Sequence, residues 1–119
     1  MTIMAVDNHH SRLLQLVECL KAVFPEENIV DFTDPLLAVQ YSFLNTVDVL
    51  FSDIPMNGMD GIMLTEGVRQ KNNDVQVFLL AESEMYKEEA EEYEVSGYLL
   101  RPVTVETIKK WWYRFGKKN

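Results

Sequence analysis

The sequence predicts a doubly wound α/β fold, in which a five-stranded parallel sheet is covered by helices on both faces. Its 119 residues alternate between short, continuously apolar runs and stretches where apolar residues recur at three- and four-residue spacing. Runs that are apolar throughout, rather than at every second position, are typical of parallel strands buried on both faces. The predicted strands are Thr2–Val6, Asn28–Phe32, 48–52, 75–80 and Gly97–Leu100.

A helix is predicted after each strand. Asp34 and Pro35 supply an N-cap and a first-turn proline for the second helix. Asp60 is placed to cap the third, although Gly67 within it costs about 1 kcal/mol in helix propensity. The second helix runs through Leu44, the fourth covers 84–93 and is unusually acidic, and the fifth begins near Thr104. The apolar stripes are Leu13, Leu16 or Val17, Leu20 and Phe24 for the first helix, Ile62, Leu64 and Val68 for the third, and Val105, Ile108, Trp112 and Phe115 for the fifth.

Composition narrows the function classes. The chain carries 19 acidic and 11 basic residues, a net charge of −8, and 47% of its residues are hydrophobic, which is far too many for a disordered chain. Such an acidic domain has no basic surface for nucleic acid, so no direct nucleic-acid binding is expected. Cys19 is the only cysteine, which excludes an intrachain disulfide. With no signal peptide and no membrane span, we expect one cytoplasmic domain over residues 1–119.

Charged side chains follow three of the predicted strands. Asp7 and Asn8 follow the first strand, Asp53 the third, and Arg101 the fifth. In a doubly wound sheet these ends share one edge, which is where ligands bind. Carboxylates there can hold a hard cation, a nearby cation can neutralise a phosphoryl group, and a carboxylate can itself accept that group. Alternatively, the aspartates cap the following helices and Arg101 pairs with one of them.

Three segments, taken in their order along the chain, resemble motifs of the receiver domains of bacterial two-component response regulators. Residues 3–8 (IMAVDN) resemble the acidic motif of the first strand, and residues 53–61 (DIPMNGMDG) resemble the acceptor-aspartate loop. Residues 97–103 (GYLLRPV) resemble the lysine-proline motif of the fifth strand. Residues 32–36 and 96–100 are further similar to receivers that precede LytTR-type or related activator domains. The resemblance covers the whole chain and implies the flavodoxin-like fold of receivers.

The resemblance implies a role for each matching position. Asp53 is the expected acceptor of a phosphoryl group from a sensor histidine kinase, so the domain is a switch and not an enzyme, with transcription as its expected output. Mg²⁺ is expected on Asp53, Asp7, Asn8 and the backbone carbonyl of Pro55. Arg101 is the expected cation on the phosphate side.

The chain departs from the family pattern at three positions. Asn8 stands where a second acidic residue is usual, which removes one negative charge from the metal site. Ala81 aligns with the hydroxyl residue that ends the fourth strand, and a one-residue shift puts Leu80 there, so neither alignment supplies a hydroxyl. Arg101 replaces a lysine with a planar fork, which is not a neutral change at a tightly packed site. Tyr98 matches the switch aromatic.

Two functions remain open on these residues. Either the domain is phosphorylated on Asp53 with weakened Mg²⁺ binding, or it is a degenerate receiver that binds partners without phosphate. An aspartyl-phosphate hydrolase would need an acid two residues after its nucleophile, where this chain has Pro55. A flavin site would need a glycine- or hydroxyl-rich phosphate loop where Asp7 and Asn8 stand.

Four features lie outside the motifs. His9 and His10 are expected to begin the first helix in solvent, or to tune the pH response of the site. Seven acids in the fourth helix region and six bases after residue 100 are either solvated faces or a homodimer contact through the fourth helix, fifth strand and fifth helix. Trp111 lies off the apolar stripe, as a partner anchor or packed against the sheet.

Overall fold

The computed structural model describes residues 1–116. The strands are β1 Thr2–Val6, β2 Asn28–Phe32, β3 Val49–Asp53, β4 Gln76–Ala81 and β5 Gly97–Leu100. The helices are α1 His10–Val23, α2 Pro35–Leu44, α3 Gly61–Arg69, α4 Lys87–Glu91 and α5 Val105–Phe115, and a turn of 3-10 helix at Glu84–Tyr86 precedes α4. The predicted fold class is confirmed, and β3 and β4 differ from the predicted bounds by one residue at each end.

All strand pairs in the sheet are parallel, in the order β2-β1-β3-β4-β5. The chain runs outward from β1 to β2 and then returns to the other side of β1 with β3, so the order reverses between β1 and β3. The register pairs Val6 with Ser52 and Ala81 with Leu100. The carboxyl ends of the central strands therefore lie side by side at the point where doubly wound folds bind ligands.

The core consists of two clusters, one on each face of the sheet. One joins the sheet to α2, α3 and α4 through side chains such as Met4, Leu64 and Ala90. The other joins it to α1 and α5 through side chains such as Leu16, Phe51, Phe78 and Ile108, and Phe51 stacks on Phe78 at 4.9 Å between ring centroids. Successive residues of β1 alternate between the two clusters, as expected of a strand covered on both faces.

The fourth helix is shorter than its sequence predicts. The predicted helix is present, but its bounds of 84–93 were wrong, because the segment forms a 3-10 turn followed by an α-helix of only five residues. Ala90 is the one side chain of α4 that is buried, and its neighbours are exposed glutamates that repel one another. A run of like charges with one buried contact is too weakly held to continue the helix.

The aromatic residues of α5 divide between the core and the surface. Ile108 is buried and Trp112 packs edge-on against Phe24 at 5.1 Å, as the predicted stripe requires, but Phe115 at the end of that stripe is exposed. Trp111 packs against the sheet beside Gly97, where an added Cβ would lie 2.9 Å from its ring. This packing favours the interpretation of Trp111 as a partly buried residue.

Candidate functional site

Two buried carboxylates lie at the centre of the predicted edge. Asp7 follows β1 and is fully buried, and Asp53 ends β3 with 2% of its surface exposed. The pairing of β1 with β3 brings them together although 45 residues separate them in sequence. Asp7 also accepts a hydrogen bond from the backbone N–H of His9 at 2.8 Å, but His9 is the N-cap residue of α1 and that helix start has no side-chain cap, so Asp7 does not cap the helix.

Arg101 joins the two carboxylates through a single nitrogen. Its Nη2 donates to Asp7 Oδ2 at 2.7 Å and to Asp53 Oδ1 at 2.9 Å, and 11% of its side-chain surface is exposed. Its Nε is buried and has no hydrogen-bond partner among the described residues. The structure therefore places Arg101 where the sequence predicted a cation, but the guanidinium is not used as a bidentate fork.

A second arginine, which sequence reasoning missed, enters from the first turns of α1. Arg12 donates from Nε to Asp7 Oδ2 at 3.2 Å, from Nη2 to Asp7 Oδ1 at 3.3 Å, and from Nη2 to Asp53 Oδ2 at 3.0 Å. Its Nη1 lies 3.6 Å from Oε1 of Glu82, an exposed residue just after β4. A cation five residues after a strand-end acid, at the start of a helix, is the signal that could have identified it.

The two histidines lie at the start of α1, as predicted. His9 is the N-cap residue, and its exposed ring contacts Arg12 through Nδ1 at 2.7 Å from Nη2. His10 begins the helix and is exposed. His9 Nδ1 also lies 3.6 Å from Asp7 Oδ1, so this ring borders the carboxylate cluster.

The charges of this cluster balance. Asp7 and Asp53 carry −2 together, and Arg12 and Arg101 carry +2. Burial raises the pKa of Asp53, and the nearby charge of Asp7 raises it further, while Arg101 and Arg12 offset these effects only in part. Burial opposes the charge of Arg12, but Asp7, Asp53 and Glu82 outweigh it and raise its pKa above the ordinary value. The cluster is thus a compact, paired group of charges that was desolvated on folding.

The remaining predicted metal donors, Asn8 and Pro55, follow Asp7 and Asp53 closely in sequence. Asn8 is half-buried, and its Oδ1 has no hydrogen-bond partner among the described residues, which leaves a lone pair for a ligand. Pro55 lies in the exposed loop after β3, two residues past Asp53. These oxygens and the two carboxylates are the hard donors that Mg²⁺ prefers. However, no cluster of three His, Cys, Asp or Glu side chains within residues 1–116 is arranged to hold a metal.

The two switch positions lie on β4 and β5. Ala81 ends β4, is buried, and supplies no hydroxyl, while Ser83 lies two residues later and caps the 3-10 turn. The ring of Tyr98 is buried, and its hydroxyl donates to the carbonyl of Ser83 at 2.7 Å and accepts from the N–H of Tyr86 at 3.3 Å. Burial raises the pKa of Tyr98. The aromatic side chain is therefore fixed inward by the loop that follows β4.

Comparison with known proteins decides the family. The model of the response regulator receiver domain matches residues 3–112 of the chain. The chain belongs to this family. Receiver domains act in two-component signalling, where phosphorylation on an aspartate is expected, and in general they are not enzymes. They interact with sensor histidine kinases.

Similar proteins agree with this membership. The receiver is 29% identical over 107 residues to the cyclic di-GMP phosphodiesterase response regulator RpfG of Xanthomonas campestris. The aligned region covers 87% of this chain and 28% of RpfG. The structure of chemotaxis protein CheY4 of Vibrio cholerae matches with a TM-score of 0.82 and 23% identity, over 96% of this chain and 97% of that one. The response regulator TrrA of Thermotoga maritima, solved with Mg²⁺-BeF, matches with a TM-score of 0.78 and 20% identity, over 96% and 97% of the two chains.

Not every property of these relatives applies to this chain. The receiver spans little more than a quarter of RpfG, so the phosphodiesterase named there is a property of that longer protein. The two structures show the fold, and the Mg²⁺ belongs to TrrA.

Within the described residues, no helix is both long and apolar enough to cross a membrane.

Proposed function

We propose that this receiver accepts a phosphoryl group on Asp53 from the phosphohistidine of a sensor kinase. The observation that carries the proposal is the buried Asp53 carboxylate at the end of β3, held within hydrogen-bond distance of two guanidiniums. An Asp53 oxygen attacks phosphorus, an O–P bond forms while the P–N bond of the donor breaks, and the imidazole leaves with the bonding pair. Arg101 and Arg12 are placed to donate to the phosphoryl oxygens.

Any Mg²⁺ in this receiver would be held by Asp7, Asn8 Oδ1, Asp53 and the carbonyl of Pro55, and only once Arg12 has left the two carboxylates. Bound there, the ion would neutralise charge on the transferring group. The unpartnered Asn8 oxygen supports this set, and the amide in place of an acid supports weak binding. The site residues themselves contribute without the ion: Asp7 orients both arginines, and the arginines hold the Asp53 carboxylate in one orientation.

A phosphate-independent interaction module is the second candidate. It is favoured by the absence of a hydroxyl at Ala81 and by the complete pairing of the carboxylates in the resting cluster. In that case the receiver would signal by binding alone.

For either function we propose a cytoplasmic domain over residues 1–119, with control of transcription through an output domain or partner, as in receivers that precede LytTR-type domains.

A homodimer through α4, β5 and α5 also stays a prediction. The glutamates of α4 and the bases Lys109 and Lys110 of α5 are exposed, which is what a charge-paired contact between copies requires. We propose no direct nucleic-acid contact by the receiver, because its net charge is −8. Sedimentation at low and high salt would test the dimer, since salt should weaken it.

Intact mass spectrometry tests the phosphorylation. The protein is incubated with acetyl phosphate and Mg²⁺, beside Asp53→Asn and the matched control Asp31→Asn, which removes an exposed aspartate from β2. We expect one phosphoryl adduct on the wild type and on Asp31→Asn, and none on Asp53→Asn. An absent adduct on folded wild-type protein, or an adduct that persists in Asp53→Asn, would refute Asp53 as acceptor and leave the interaction module as the better account.

A further inference from the structure

Arg12 holds three of the four carboxylate oxygens of the site. It contacts both oxygens of Asp7 and the Oδ2 of Asp53, with nitrogen-to-oxygen distances of 3.0 to 3.3 Å. Mg²⁺ would need oxygens of the same two side chains at roughly 2.0–2.1 Å. A guanidinium bonded to these oxygens and an ion coordinated by the same oxygens compete for the same lone pairs and the same space, so one excludes the other.

The charges of the site agree with this geometry. Without Arg12, the cluster of Asp7, Asp53 and Arg101 would carry −1 and attract a divalent ion, whereas with Arg12 it carries zero. Asn8 acts in the same direction, because an amide stands where a carboxylate would add another negative charge. Two separate positions therefore lower the affinity of this site for a cation, one by adding positive charge and one by removing negative charge.

One nitrogen of Arg12, Nη1, makes no bond to the two carboxylates and is available to a ligand. Its Nη1 makes only a 3.6 Å ion pair with Glu82, whose side chain is 78% exposed, and such exposed pairs are weak. A guanidinium that is anchored through Nε and Nη2 keeps Nη1 as a donor for a phosphate oxygen, and its permanent positive charge favours such an anion.

We propose that Arg12 is the built-in cation of this acceptor site. It occupies the place of the divalent ion in the resting receiver and binds the phosphoryl oxygens once Asp53 is modified, so that acceptance depends little on Mg²⁺. The phosphoryl-acceptor role rests on the proposed function, but the exclusion of metal by Arg12 stands without it. The transfer step is the one given above, with Arg12 as a donor of hydrogen bonds to the phosphoryl oxygens.

Metal binding is measured directly, without phosphorylation. Mn²⁺ is titrated into the purified protein, and free Mn²⁺ is read from its EPR signal for wild type, Arg12→Gln, Arg12→Lys and Arg114→Gln. The last variant makes the same change in charge at an exposed position of α5. We expect Arg12→Gln to bind Mn²⁺ at least tenfold more tightly than wild type, about 1.4 kcal/mol. Arg12→Lys, which keeps the charge, and Arg114→Gln should stay within about twofold to threefold of wild type on the same conversion.

The wild type alone can also refute the proposal. Micromolar Mn²⁺ binding by wild-type protein that is lost in Asp53→Asn would show that Arg12 does not exclude the ion, even if Arg12→Gln fails to fold. Equal binding by wild type and folded Arg12→Gln would do the same.

The phosphoryl role is tested separately with acetyl phosphate in Mg²⁺ or in EDTA. We expect wild type to form the adduct at similar rates in both, and Arg12→Gln to require Mg²⁺. A wild-type adduct that forms only with Mg²⁺ would overturn the phosphoryl role of Arg12. If no protein forms an adduct, the proposed function fails, and the Mn²⁺ titrations still decide whether Arg12 excludes metal.

Discussion

The single-nitrogen contact of Arg101 predicts that lysine can replace it. Arg101→Lys keeps a positive charge that can bridge Asp7 and Asp53, and it removes the buried Nε that has no hydrogen-bond partner among the described residues. An unpaired buried polar atom costs roughly 1–3 kcal/mol, so its removal offsets the shorter reach of the ammonium. We therefore expect Arg101→Lys to change the free energy of unfolding by no more than about 1 kcal/mol.

Arg101→Gln should behave differently, because it leaves two carboxylates with 1% and 2% of their side-chain surface exposed and one cation fewer. Removing one partner of a buried ion pair costs roughly 3–5 kcal/mol. Arg12 still contacts both carboxylates, which places the loss near 3 kcal/mol, or about 12 °C in Tm for a domain of this size. Urea unfolding followed by tryptophan fluorescence measures both variants.

Arg69 offers a matched control for the same substitution. Its Nη1 donates to the carbonyl of Tyr93 and its Nη2 to that of Glu94 at 3.3 Å, so it does use two nitrogens, and its Nε is likewise unpartnered among the described residues. Arg69→Lys should lose one of these donors and cost about 1 kcal/mol more than Arg101→Lys. If Arg101→Lys were as unstable as Arg101→Gln, the reasoning from a single nitrogen would be refuted.

Three further predictions concern the surroundings of the site. Gly61→Ala should lower the free energy of unfolding by about 3 kcal/mol in urea, because its Cβ would lie 2.3 Å from the carbonyl oxygen of Asp53, which no side-chain rotation can relieve. Tyr98→Phe should cost about 1–2 kcal/mol and speed amide exchange in the 3-10 turn, since the carbonyl of Ser83 loses its donor. Cys19 should react with iodoacetamide more slowly than an exposed cysteine peptide at pH 8, and its rate should rise at higher pH than the peptide's, because burial raises the thiol pKa and the thiolate is the nucleophile.

Each of these has a control and a contrary outcome. Gly58 has a positive φ of 85° but open space around its Cβ position, so Gly58→Ala should cost only about 1 kcal/mol. If Gly61→Ala lost no more unfolding free energy than Gly58→Ala, the close approach of its Cβ to the Asp53 carbonyl would be easily relieved. Tyr113→Phe, at an exposed tyrosine, should change nothing, and exchange unchanged in Tyr98→Phe would show that its hydroxyl does not hold the turn. A Cys19 rate profile identical to the peptide's would contradict the burial argument.

Local signals in the sequence predicted most of the fold. Asp34 and Asp60 cap α2 and α3 by accepting from the N–H groups of Leu36 and Met63, and Thr104 caps α5. Such caps are read correctly because donor and acceptor lie within three residues of each other. The length of α4 was not predictable in this way, because its end depends on how many of its residues find a place in the core.

The candidate site was predictable only where strand register alone decides it. Asp7, Asp53 and Arg101 each end or follow a strand, so the fold class was enough to bring them together. Arg12 lies on a helix. Its spacing from Asp7 could have suggested a pairing with that acid, but its contact with Asp53 depends on how α1 leaves β1. The single-nitrogen use of Arg101 depends on side-chain orientation and was equally hidden.

The sheet order also bears on how the chain folds. Arg101 and Asp7 are 94 positions apart in sequence, and their contact needs the pairing of β1 with β3, β3 with β4 and β4 with β5. Contacts between residues so far apart in sequence have a large entropic cost of loop closure, so we expect them to form late in folding. Substitutions in this cluster should therefore accelerate unfolding more than they slow refolding, and the four charges should meet only when the whole sheet is assembled.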